Sequence, residues 1–234
     1  MKEFEDKSSS QFDLSIGDLM ASLLLVFVLC LIGTILQLQE EYDHKSDIAE
    51  RYKELQTQIY IDLNEEFKDD LVSWGAEIDK EKLIIRFTEP DVLFEFGKSN
   101  VKQKFKSILQ DFFPRYIKVL SGELYKTHIE EIRIEGHTSL EKSISKSTEE
   151  SYFYNMKLSQ DRTRSVLKFS LSQIGDNDIY DWTKLRTTAN GLSSVKPIVK
   201  NNTSENRKLN RRVEFRIKTD AEEQIREMLL YDEN

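Results

Sequence analysis

The chain has 234 residues, with 34 Lys and Arg set against 42 Asp and Glu, a formal charge of −8. That length suits one anchor and one domain of roughly 150 residues, and the acidic balance argues against nucleic acid as a partner, because phosphate binding needs clustered Lys and Arg. The single cysteine, Cys30, excludes an intrachain disulfide.

Residues 1–13 read as a short polar tail, followed by a predicted transmembrane helix over 14–39. Within it, Leu19 to Leu38 carry no charge; at about 1.5 Å per residue the run is roughly 30 Å long, enough to cross a bilayer once. It exceeds an ordinary signal-peptide core and no small-x-small cleavage site follows, so it reads as an uncleaved anchor. Asp18 stands at its head. Insertion scales charge roughly 2.5–3.5 kcal/mol for a carboxylate near a membrane helix centre, less near an end, so such a group usually faces protein or a water-filled path. Two roles are open for Asp18: carrying an ion, or capping the helix after Ile16-Gly17. Ser22, one turn along on the same face, either lines an ion path or packs. Lys2 and Lys7 precede the span while Lys45 and Arg51 follow it, so charge does not orient it.

A helical linker is predicted over 40–70, which contains no Pro or Gly. Ile48, Tyr52, Leu55 and Ile59 follow 4-3-4 spacing, which suits a parallel stalk between two copies or an ordinary amphipathic helix. From 71 to 220 the pattern becomes mixed. Val72–Ile78 and Lys82–Phe87 flank the turn Asp79-Lys80-Glu81, and LIIRF has strand composition. Pro90 and Gly97 mark a loop. A helix is then predicted with Asn100 as cap and Val101, Phe105, Ile108, Phe112 and Tyr116 on one face, Pro114 kinking or shortening it. Ile129–Glu135 reads as a strand burying Ile132 and Ile134 and ending in Gly136-His137-Thr138. A polar loop, SLEKSISKSTEES, precedes a helix over Tyr152–Ile174. Leu185–Ala189 and Arg211–Lys218 supply further strands, with NNTSENRKLN between them, and 221–234 is a C-terminal tail or helix. The fold class is α+β: an anchor, a helical stalk, and an α/β sandwich whose helices pack on one sheet face.

Four fragments occur in one order: VLFEFGKSNVK, IRIEGHT, YNMKLSQDRTRSVLKFSL and GLSSVKPIVKNNTSENRKLNRRVEF. Together they resemble the peptidoglycan-binding domain of the OmpA family, over about Asp91–Lys218. Behind a single anchor with an early Asp (GDLMASLLLVF), such a domain resembles the B subunit of ion-driven stator complexes. The short N-terminal tail and proline-free helix after the span depart from the flagellar pattern and look more like the B subunits of Zorya antiphage systems. The resemblance implies a single-pass inner-membrane protein with a cytoplasmic N-terminus and a periplasmic C-terminal domain. It also implies a homodimer surrounded by five copies of a ZorA-like multi-span subunit, driven by ion flow past Asp18 and fixed to the cell wall. No cofactor is expected beyond the transported ion, read as H+.

Asn155, Leu158 and Arg162 are spaced to share one helical face near an N-terminus, which suits an anionic ligand; otherwise Arg162 pairs with a surface acid and Asn155 caps the helix. By resemblance, Asn155 and Arg162 hold the diaminopimelate carboxylates of a peptidoglycan stem peptide, and Tyr154 and Leu158 shape the pocket. Ser139 replaces the Asp that the family places after G-H-T to pair the ligand's ammonium, with Glu141 or Glu149 as candidate substitutes. Arg211 and Arg212 fall on opposite faces of a strand, so one of them, taken as Arg211, faces the pocket. His137 reads as structural. No nucleophile–base pair, phosphate loop or catalytic carboxylate pair stands out, and no enzyme is read. Two alternatives stay open: a passive membrane-to-wall tether without ion flux, and a flagellar stator subunit.

Overall fold

The computed structural model describes residues 2–95, 97–139 and 147–220. The polar loop over 140–146 and the tail over 221–234 lie outside the described residues. Helix α1 (Lys2–Phe67) comes first, and the chain divides into two units, Met1–Glu50 and Arg51–Asn234. In the first unit, Gly17–Asp43 is long and apolar enough to cross a bilayer, its most apolar 18-residue stretch having a mean hydropathy of 2.8. Its side chains are exposed throughout. A core helix this apolar would bury one face within its own fold; this one leaves its whole circumference for lipid or other helices.

The second unit begins inside α1. Ile59, Leu63 and Phe67 recur every four residues and are fully buried, and Leu55 packs against them. The helical linker expected over 40–70 therefore ends as a separate piece at Glu50, and the Leu55–Ile59 part of the 4-3-4 stripe belongs to the domain core. Val72–Trp74, expected as strand, lies in a single helical turn, α2 (Leu71–Trp74), closed by Gly75 at φ 61. The left-handed conformation suits Gly, which has no Cβ to clash. Packing decides this segment: the Trp74 ring lies 5.8 Å from Phe67 and 6.1 Å from Phe112, and such contacts override local strand propensity.

Strands β1 (Ala76–Asp79) and β2 (Ile84–Phe87) form a hairpin, followed by the short helix α3 (Pro90–Leu93). Helix α4 (Gln103–Leu120) buries Phe105, Ile108, Leu109, Phe112, Phe113, Tyr116, Ile117 and Leu120, and runs through Pro114 without ending. Its N-cap is Lys102 rather than Asn100, because Val101 is drawn into a bridge with Phe94 that closes the preceding loop. Strand β3 (Ile129–Gly136) buries Ile132 and Ile134 completely. Helix α5 (Thr148–Leu171) starts four residues before Tyr152, because Ser147 and Glu150 form a reciprocal capping box. Helix α6 (Asn177–Arg186), capped by Asp176, takes Leu185 and Arg186 from the expected strand, which starts only at Thr187.

The fold closes with β4 (Thr187–Gly191), α7 (Ser204–Asn210) and β5 (Val213–Thr219). The sheet order is β1-β2-β5-β3-β4, antiparallel except for β3 with β4. One face carries Ile85, Phe87, Ile132, Ile134, Val213, Phe215 and Ile217 into the core. Phe215 lies 5.0 Å from the Phe112 ring and 5.9 Å from Phe87. The opposite face carries Arg86, Glu131, Arg133, Glu135, Glu214 and Arg216, as the two-residue alternation of strands requires.

Candidate ion-carrying residue and ligand pocket

In the first unit, Asp18 and Ser22 are both exposed on α1. The Ser22 hydroxyl donates to the Asp18 backbone carbonyl at 2.8 Å, so Ser22 is tied to its own helix. Asp18 itself is exposed on the helix, immediately before the start of the uncharged run.

In the second unit, α5 is seated by two glycines. Gly136 and Gly191 face each other across β3 and β4. A Cβ on Gly191 would come within 2.2 Å of the Gln160 backbone nitrogen, and one on Gly136 within 3.0 Å of the Ser159 carbonyl. Only bare backbone lets the helix lie this close to the strand ends. Ser159 completes the seat: it is fully buried, and its hydroxyl accepts from the backbone N–H of Ser193 at 3.0 Å. Gly136 of G-H-T and Ser159 of the L-S motif therefore place the middle turns of α5, and with them the candidate ligand residues.

Those turns border a cavity of about 350 Å³ lined by Gly97, Lys98, Ser99, Asn100, Tyr154, Lys157, Leu158 and Asp161. Gly97, at φ 67, turns the loop under the Tyr154 hydroxyl, which lies 3.6 Å from where a Cβ on Gly97 would sit. Of the residues singled out from the sequence, Tyr154 and Leu158 line this cavity. Among the described residues, Asn155, Arg162 and Arg211 do not. Asn155 is buried. Arg162 lies beneath the loop: its Nε donates to the Lys98 carbonyl at 2.9 Å, its Nη2 to the Glu95 carbonyl at 3.4 Å, and its guanidinium stacks 4.8 Å from the Phe94 ring centre. It shapes the pocket wall from behind. Lys98, Lys157 and Asp161, which sequence reasoning passed over, line the cavity itself; the available signal for the last two was their three-residue spacing on α5, Lys157 from Tyr154 and Asp161 from Leu158.

Arg211 is the C-terminal cap of α7, and its Nη1 donates to the Ser139 hydroxyl at 3.2 Å. Arg212 turns the other way, donating to Glu214 at 2.7 Å and to the Lys196 carbonyl at 3.0 Å. Asn210 orders the same loop, accepting from Ile198 and Val199 and donating to the Val199 carbonyl.

Beneath G-H-T, His137 Nε2 faces Glu214 at 3.4 Å and Glu135 at 3.7 Å. Among the described residues, these three are the group whose donor atoms converge enough to hold a metal ion. Arg86 and Arg212 already bond Glu214 at 2.6 and 2.7 Å, and Arg216 bonds Glu135 at 3.2 Å. They supply the positive charge that a metal would bring, and the cluster acts as an ion-pair network bracing three strand ends. Burial disfavours the charged form of Glu214, but His137, Arg212 and Arg86 outweigh it and hold the carboxyl well below its ordinary range.

The OmpA family model matches residues 93–211, the stretch that carries the pocket and the G-H-T end of β3. The Zorya protein ZorB from Escherichia coli is 43% identical over 215 residues, covering 92% of this chain and 91% of that protein. The chain is an OmpA-family protein of the ZorB type. Among solved structures, a MotB-like protein from Desulfovibrio vulgaris shares the fold, with a TM-score of 0.52 and 24% identity over 71% of this chain and 96% of that chain. For a ZorB-type chain, the apolar helix and the OmpA-family domain are the two parts that any account of function must connect.

Proposed function

We propose that this chain is the B-type subunit of an ion-driven rotary complex of the Zorya antiphage system. It would cross the inner membrane once, N-terminus in the cytoplasm, and hold the cell wall through its periplasmic domain. The observation that carries this reading is the 43% identity to a Zorya ZorB over nearly the whole of both chains. Asp18 at the head of an exposed apolar helix supports the ion role. A dimer of this chain sits within five copies of a ZorA-like multi-span subunit, whose helices cover the apolar surface of α1. Asp18 takes up a proton from one side of the membrane and releases it to the other, turning the surrounding ring. The pocket between α5 and the Gly97 loop binds a peptidoglycan stem peptide and holds the dimer still. No enzymatic step is required of the chain.

A phage challenge tests the ion role. Cells carrying the system with Asp18→Asn should lose protection while the multi-span subunit still co-purifies with the variant. Full protection by Asp18→Asn would leave a passive tether. Sedimentation with cell-wall sacculi tests the anchor: the wild type should pellet with them, and Tyr154→Ala should remain largely in the supernatant.

A further inference from the structure

We infer that the lobe between β4 and β5 is a second contact surface, one that takes the anionic headgroups of a phospholipid bilayer. It lies apart from the pocket residues and adds a partner that the wall anchor does not require.

The sequence of this lobe runs against the rest of the chain. Residues 195–211 carry Lys196, Lys200, Arg207, Lys208 and Arg211 against a single acid, Glu205, in a chain of net charge −8. Glu205 is engaged locally, accepting the Ser204 hydroxyl at 2.7 Å. Lys196, Lys200 and Lys208 are exposed. Among these cations stand Val195, Ile198 and Leu209, exposed by 59, 43 and 42%. Single exposed apolar side chains are ordinary; three of them among five cations in one short stretch form a mixed basic and apolar surface.

The lobe is built rather than loose. The buried Asn210 side chain accepts from the Ile198 and Val199 N–H groups at 2.8 and 3.2 Å and donates to the Val199 carbonyl at 2.7 Å. Asn206 donates to the Lys200 carbonyl at 2.9 Å, and the Thr203 hydroxyl caps α7. These bonds fold the 198–203 stretch against α7. Backbone polar groups there are met by the lobe's own asparagines, so its lysines and apolar side chains are what it presents to a partner.

A bilayer containing anionic lipid complements both features. Each Lys or Arg near such a surface strengthens attachment about fivefold, and apolar side chains gain by entering the boundary between headgroups and acyl chains. A polyanion without an apolar phase answers the cations but leaves Val195, Ile198 and Leu209 in water. The apolar helix of the same chain is long enough to cross a bilayer, so a lipid surface is a partner the protein meets.

The test holds the full-length protein in nanodiscs of neutral phosphatidylcholine and adds dense, sucrose-loaded vesicles. One vesicle set is phosphatidylcholine alone; the other is equal parts phosphatidylcholine and phosphatidylglycerol. The wild type should pellet with the anionic vesicles, be released by added salt, and stay in the supernatant with the neutral ones. Lys196→Gln combined with Lys200→Gln should weaken pelleting about twenty-fold, with an unchanged urea midpoint. Ile198→Ser should weaken it less and leave the salt dependence as in the wild type. Equal pelleting with both vesicle sets, or undiminished pelleting of the double lysine variant, overturns the assignment. So does a double lysine variant that loses sedimentation with sacculi while keeping the vesicles, which would give the lobe to the cell wall.

Discussion

Asp18 and Glu214 are both carboxylates next to apolar residues along the chain, and their surroundings differ in kind. Glu214 is 2% exposed and takes hydrogen bonds from Arg86 and Arg212 at 2.6 and 2.7 Å, with His137 facing it at 3.4 Å. Asp18 heads a run from Leu19 to Leu38 with no basic residue, and the nearby Ser22 hydroxyl is engaged with the helix backbone. A carboxylate surrounded by fixed cations is locked in one charge state and serves stability. Among the described residues no cation pairs with Asp18, and a carboxylate so placed takes its counter-charge elsewhere, from a proton, an ion or another subunit. The same side-chain chemistry thus marks a brace in one unit and a candidate carrier in the other.

The comparison breaks most visibly at Glu214. Glu214→Gln leaves Arg212 buried without its charge partner and takes from Arg86 its buried one, Glu77 remaining at 2.6 Å, and should destabilise the domain by roughly 3–5 kcal/mol, read as a lowered urea midpoint of the full-length protein in detergent. The same brace sets an acid limit. Glu214 and Glu135 have folded-state pKa values depressed from 4.5, so their contribution is complete above about pH 4.5 and fades as pH falls through the folded values. The melting temperature should drop below that pH, and less steeply in Glu214→Gln.

A smaller effect is expected where α5 meets the sheet. Gly191→Ala forces a Cβ against the Gln160 backbone nitrogen and should cost about 1–3 kcal/mol, displacing the pocket wall and weakening sedimentation with sacculi. Smaller still is Ser147→Ala, which removes one half of the α5 capping box and should cost about 1 kcal/mol. Asp18→Asn should leave the urea midpoint unchanged within about 0.5 kcal/mol. A substantial shift there would make Asp18 a structural residue and erase the contrast with Glu214.

Strong periodicity and specific motifs were legible in the sequence. The uncharged run, the buried face of α4 and the alternation of β3 each repeat a pattern over several turns or strand residues. The ordered motifs of the OmpA family pointed to the domain. Short or weakly periodic pieces were not legible. Trp74 joins a cluster with Phe67 and Phe112, a contact between distant residues that no local pattern announces. Helix α6 buries only Trp182 and Thr183 fully, too few to give an apolar stripe. Ile59, Leu63 and Phe67 look the same in sequence whether they face a second copy or their own sheet.

At the pocket, Tyr154 and Leu158, which the motif singles out, line the cavity. It gave no hint that the Arg162 guanidinium is engaged by the Lys98 and Glu95 carbonyls, because that depends on how the Gly97 loop folds back over α5. The charged lining, Lys98 from that loop and Lys157 and Asp161 from α5, is likewise a product of the fold.

The most direct test of the ion-carrier claim is proton flux through the complex of this chain with its multi-span partner, reconstituted in vesicles with an internal pH dye and an imposed pH gradient. The account predicts measurable flux for the wild type and background flux for Asp18→Asn at equal complex content. Undiminished flux in Asp18→Asn would contradict it.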